Sequence, residues 1–90
     1  MNQEMIWAEM ARRKVRFHKN ENWQVIRLWG LYSWGVVSKL LEKGELITDM
    51  RKENKTVWVW PSEEAYYKYI EPLIATYTLD ELTRMAGWDI

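Results

Sequence analysis

The residue types able to carry chemistry are few, and their spacing argues against catalysis. His18 is the sole imidazole; it stands beside Lys19 in a basic segment, and no Ser, Asp or Glu is spaced to complete a nucleophilic triad with it. The acidic pairs Glu63-Glu64 and Asp80-Glu81 fall where helices begin, so the positive end of a helix accounts for them without acid-base or metal-ligand roles. The chain has no cysteine, which removes disulfides, thiolate zinc sites and cysteine nucleophiles, and it has no glycine-rich phosphate loop. A protein that is not an enzyme, with neither metal nor cofactor, is expected.

What the chain does offer is phosphate neutralisation. Residues 12–55 hold eleven basic groups against five acidic ones, a local charge of +6, whereas residues 1–11 contribute −2 and residues 56–90 contribute −4. The balance of 13 basic and 13 acidic residues therefore hides a basic middle of the kind a nucleic-acid partner requires. Ordinary surface scatter of charge is the competing account.

The elements that must position these charges lie between Gly30 and Tyr69, which reads as turn, helix, two-stranded wing, helix. Trp34, Val37, Leu40 and Leu41 have the spacing of one buried helix face, predicting a helix from Ser33 to Lys43 that Gly44 stops. Glu45 to Met50 and Thr56 to Trp60 suit strands, with Arg51-Lys52-Glu53-Asn54 as a polar hairpin loop. On the second strand the period of two sends Trp58 and Trp60 to one face and Val57 and Val59 to the other. Upstream, Asn22 is an N-cap for a short supporting helix beginning at Trp23 and containing Val25, Ile26, Leu28 and Trp29. Gly30-Leu31-Tyr32 then supplies the turn between two helices.

Outside this stretch, Ile6, Met10, Arg13 and Phe17 share a helical stripe. A helix ending near Arg13 is expected, followed by a basic extended piece to Lys19. Pro61 and Ser62 open a further helix in which Pro72 predicts a kink or a break near Ile70. Thr78-Leu79-Asp80-Glu81 is a capping box for a last helix that Gly87 ends. Ninety residues make one domain, 1–90, with its core in 22–71, an N-terminal helix and basic arm in 1–19 and a C-terminal helix in 78–87. A chain of this size buries only roughly two-thirds of its unfolded surface, so seven Trp, five Tyr and one Phe must do much of the filling. The first residues lack the apolar core of a signal peptide, and no apolar run approaches ~18 residues, so a soluble, cytoplasmic protein without membrane contact is expected.

From Arg27 the sequence RLWGLYSWGVVSKLLEKGEL, together with a wing and PSEEAYYKYI after it, resembles the small winged helix-turn-helix excisionases and Cox-type proteins of temperate phages and, more loosely, MerR-type DNA-binding domains. The likeness covers residues 23–71. It departs from the pattern at Ile26, where a small residue is usual, and in a spacing from Gly30 to Val37 that is one residue longer. The resemblance implies an α+β winged helix with an extra C-terminal helix. It also implies a small architectural protein that binds repeated DNA sites, bends DNA and directs an integrase toward excision, in some cases also regulating transcription.

On this reading the partner is duplex DNA. Ser33, Trp34, Ser38, Lys39 and Lys43 face the major groove or its phosphates, and Arg51, Lys52, Asn54 and Lys55 at the wing tip reach the minor groove or backbone. Arg12, Arg13 and Arg16 run as a basic arm along phosphates. A solvated helix face, a charged hairpin tip and a wet basic segment are the competing accounts of these residues. Trp58 or Trp60, with Tyr66 and Tyr67, are the aromatics expected to remain outside the core and to support self-association, as in a dimer. A second fold reads Gln24 to Trp29, Val36 to Leu41, Glu45 to Met50 and Thr56 to Trp60 as an antiparallel β-meander packed against the C-terminal helices. That fold suits a small phage or mobile-element protein that binds and inhibits a host protein through exposed aromatic and acidic residues.

Overall fold

The computed structural model describes residues 3–17, 25–26, 34–53 and 56–88. Its elements in chain order are α1 (Gln3–Arg12), β1 (Val25–Ile26), α2 (Trp34–Glu42), β2 (Leu46–Glu53) and β3 (Thr56–Pro61). The C-terminal part consists of α3 (Glu63–Ala65), a π-helical turn (Tyr66–Ile70), α4 (Glu71–Thr76) and α5 (Leu79–Met85). The protein is an α+β domain whose sheet runs in the order β1-β3-β2, with both pairings antiparallel.

α1 is buried on nearly every side. Ile6, Trp7, Ala8, Glu9, Met10 and Ala11 are all enclosed, because α5, α4 with the π turn, and α2 pack around the helix. Its end is a Schellman motif: Val15 N–H reaches back to the Met10 carbonyl at 3.0 Å and Lys14 N–H to that of Ala11 at 3.1 Å. The buried pair Val15 and Met10 supplies the hydrophobic contact that goes with it. Lys14 occupies the left-handed position, at φ 56°, where glycine is the usual residue. Val15 and Arg16 form no strand, so the extended basic piece begins as a helix cap.

α2 is the helix its stripe predicts, with Val37 and Leu40 buried and Val36 and Leu41 packed against the core. Gly44, at φ 76°, ends it with the same motif, its N–H bonded to Leu41 and that of Glu45 to Leu40. A strand from Val36 to Leu41, as the meander requires, is thereby excluded. The supporting helix beginning at Trp23 is corrected in its turn. Val25 and Ile26 are extended and pair with Trp58 and Val57 of β3, because two adjacent β-branched residues fit a sheet edge better than a short helix.

The hairpin also differs from expectation. Leu46, Ile47 and Thr48 pair with Pro61, Trp60 and Val59, and Lys52 and Glu53 pair with Val57 and Thr56. Between the two sets, three residues of β2 stand against Trp58 alone, a bulge that shifts the register. β2 therefore carries Arg51 and Lys52 in its strand, where the sequence pattern suggests a loop. Leu46, Val59 and Pro61 are buried, whereas their register neighbours differ, Ile47 being 38% exposed and Trp60 half-buried against the edge of the core.

Ser62 caps α3 by accepting the Ala65 N–H on its hydroxyl at 3.1 Å. Pro72 does not break the helical run that starts there. It has no N–H to offer the Lys68 carbonyl, and the helix widens over the preceding turn, where Glu71 N–H bonds to the Tyr66 carbonyl five residues back. Thr78 and Glu81 form the capping box of α5, at 2.9 and 3.2 Å. Gly87, at φ 96°, then turns Trp88 back onto α1. The core comprises Ile6, Trp7, Met10, Val37, Leu40, Leu46, Val59, Ile70 and Leu82 with smaller neighbours.

Candidate nucleic-acid interface

The residues with the strongest sequence case lie on α2. Burial of Val37 and Leu40 fixes the rotation of this helix, and the period of 3.6 then turns Gly35, Lys39, Glu42 and Lys43 outward as an exposed face, with Ser38 half-buried at its flank. Lys39 and Lys43 stand one turn apart with their ammonium groups in solvent, as a phosphate-contacting pair requires. Glu42 lies between them and lowers the local charge. For Trp34 the description extends to the backbone, which begins α2, and Ser33 lies outside the described residues.

The hairpin comes directly after α2. Arg51 and Lys52 belong to the backbone of β2 near its far end, and Asn54 and Lys55 lie outside the described residues, as does His18. Along the hairpin, Arg51 and Lys52 thus come at the end of β2 farther in sequence from α2.

The basic arm is largely committed elsewhere. Glu9, only 2% exposed, accepts from Arg13 Nε at 2.8 Å on one carboxylate oxygen and from the Trp88 indole N–H on the other. Arg12 Nε lies 3.3 Å from the first oxygen without hydrogen-bond alignment, and the Arg12 guanidinium carbon sits 5.2 Å from the Trp88 ring centroid. Arg12 and Arg13, assigned to phosphates from the sequence, are therefore half-buried partners of an internal carboxylate. A buried anion needs charged donors within reach, and these two supply them. Sequence spacing can identify the Glu9–Arg13 pair at i, i+4; nothing local signals the reach of Trp88 across 79 positions.

Arg16 remains exposed. Its guanidinium carbon stands 5.4 Å from the Phe17 ring centroid and 5.1 Å from that of Tyr66, over a cluster in which Phe17, Tyr66 and Tyr67 meet at 5.3 to 5.5 Å. This cluster corrects the interface expectation. Tyr66 is 6% exposed and belongs to the core, because the π turn rotates it inward with Ile70, whereas Tyr67 is 48% exposed. Trp60 is half-buried and packs against the core, and for Trp58 the description extends to the backbone.

A groove outside the expected site carries no signal in the sequence. It opens between α1, the π turn with α4, and α5, encloses about 490 Å³, and has Trp7, Tyr69, Leu73, Tyr77 and Met85 among its lining residues. Trp7 and Tyr69 stack there at 5.0 Å and 14°. Among the described residues no three His, Asp or Glu side chains converge as metal ligands, and no helix is long and apolar enough to cross a membrane. No protein-family model matches the chain, and neither does any curated protein or solved structure.

Proposed function

We propose that this protein binds duplex DNA in the manner of the small excisionase-type winged-helix proteins, with α2 as the reading helix and the β2–β3 hairpin as the wing. The observation that carries the reading is the outward face of α2, where Lys39 and Lys43 are exposed one turn apart and the chain leaves directly into an antiparallel hairpin. The sheet order β1-β3-β2 supports it, since a short first strand that completes the sheet on β3 is how a winged helix anchors its wing to the helical body. The +6 charge of residues 12–55 supplies the long-range attraction. With Arg12 and Arg13 occupied by Glu9, the contacts come from α2, the wing and Arg16 rather than from a continuous N-terminal arm.

Fluorescence anisotropy on a labelled duplex, titrated at several salt concentrations, tests this. About five phosphate contacts give a slope of log affinity on log salt near −4.5, so a fourfold rise in salt weakens binding by a factor of several hundred. Lys39→Ala with Lys43→Ala reduces the slope by roughly two and leaves the fold intact. Affinity that ignores salt, or a double variant that binds like the parent, refutes the reading. The competing reading, capture of a host protein, draws on exposed Tyr67 and on Tyr77 close to Asp80, and gains ground if no duplex binds at low salt.

A further inference from the structure

We propose that the groove between α1, α4 and α5 binds a small zwitterion with an aromatic side chain, in chemical class a free aromatic amino acid. The observation behind this is a pair of opposite charges beside the Trp7–Tyr69 stack. Glu4 lies one turn before Trp7 on α1, hence on the same face of that helix, and both line the groove. Lys68 directly precedes Tyr69, and its ammonium is 5.2 Å from the Tyr69 ring centroid. Because the Trp7 and Tyr69 rings stack at 5.0 Å, a carboxylate and an ammonium are both anchored beside one pair of rings. Glu4 and Lys68 are exposed, and among the described residues neither makes an ion pair.

These charges select the ligand's head group. A simple anion suits Lys68 and is repelled by Glu4, and a simple cation the reverse. A molecule with an ammonium and a carboxylate on one carbon satisfies both. The rest of the lining selects the side chain. Leu73, Tyr77 and Met85 offer apolar surface beside the stack, and tyrosine rings and a methionine sulfur favour contact with a further ring. A volume of about 490 Å³ falls within the range of small-molecule sites, roughly 300 to 1,000 Å³. The inference is independent of DNA binding.

Titration of the isotope-labelled whole chain with L-phenylalanine, followed by nitrogen–proton NMR correlation spectra, is the test. The backbone amides of Tyr69, Leu73, Tyr77 and Met85 move together and saturate, with a dissociation constant of about 1 mM or tighter. The indole N–H of Trp7, which has no hydrogen-bond partner among the described residues, moves with them. Glu4→Ala and Lys68→Ala each weaken binding by about tenfold, and circular dichroism checks that the fold is kept. N-acetylphenylalanine, which lacks the ammonium, binds about tenfold more weakly than phenylalanine to the parent and no more weakly to Glu4→Ala. Phenylalaninamide, which lacks the carboxylate, shows the same pattern with Lys68→Ala. L-alanine, which lacks the ring, binds at least about tenfold more weakly than phenylalanine. Groove resonances that do not saturate, a derivative or alanine that binds as well as phenylalanine, or losses that do not pair with the matching variant would each overturn the proposal. Resonances that move with protein concentration alone would overturn it as well, by identifying a second copy as the occupant.

Discussion

Replacing Glu9 by Gln tests whether the buried carboxylate holds α1 in place. The carboxylate uses both oxygens: one accepts from Arg13 with Arg12 close by, the other from the Trp88 indole. Glutamine has a single acceptor oxygen, so its amide group must face one of these donors and that bond is lost. If the oxygen stays with Trp88, a charge-assisted bond to Arg13 goes, worth about 1.5 to 3 kcal/mol. Arg13 is partly open to water and recovers some of this by hydration, as its 30% side-chain exposure allows. The net loss comes to about 2 kcal/mol, against a total stability of roughly 5 to 13 kcal/mol for a chain of this length. Urea unfolding monitored by far-ultraviolet circular dichroism measures it, and thermal unfolding should fall by roughly 8 to 16 °C. Combined with Arg13→Ala in a double-mutant cycle, the two changes should couple by about 1 kcal/mol, because both remove the Arg13 bond to the carboxylate. The loss should persist in high salt, unlike that of a surface pair. A Glu9→Gln variant within about 0.5 kcal/mol of the parent, or a cycle that is additive, would refute the account of this cluster.

Two further outcomes concern helix ends. Glu81 is held below the ordinary carboxylate range, chiefly by the Thr78 backbone N–H its carboxylate accepts, with the Thr78 hydroxyl and Arg84 adding to the effect. A depressed folded pKa gives stability that is present above the unfolded value and is lost as pH falls through the folded one. The parent should therefore exceed Glu81→Gln in urea midpoint at neutral pH, with the gap closing below the ordinary glutamate range; a gap independent of pH would contradict this. At the left-handed positions, Gly44→Ala meets no atom within 4 Å and should cost about 1 kcal/mol from backbone strain alone, whereas Lys14→Gly should gain up to about 1 kcal/mol. Equal stabilities across this pair in urea unfolding would show that the two caps carry no strain.

Much of the fold is legible in the sequence because it is specified locally. The Val37 and Leu40 stripe, the Ser62 cap, the Thr78–Glu81 box and the glycines at 44 and 87 each act within one or two turns of chain, and each does what its spacing predicts. β1 reads as helix in the sequence because two residues carry no period, and their state is decided by β3, more than thirty positions away. Pro72 marks the right place for a disturbance, but its accommodation by a wider turn depends on tertiary packing of Tyr66 and Ile70. For the candidate site, Lys39 and Lys43 come from α2's rotation, which its apolar residues set. Arg12 and Arg13 look like phosphate ligands because an arginine's sequence neighbourhood says nothing of a buried carboxylate completed by Trp88.

The seating of α1 also orders events during synthesis. α1 is made first, yet the helix that packs most extensively against it is α5, and the indole that completes its buried carboxylate belongs to Trp88. Until those residues leave the ribosome, Ile6, Trp7 and Met10 lack the largest of the surfaces they bury against, while β2 and β3 already have each other and β1 to pair with. The hairpin can therefore form on the nascent chain. The helical half must wait for α5 and Trp88 to emerge, and a chaperone that recognises apolar helices would find α1 available for that interval.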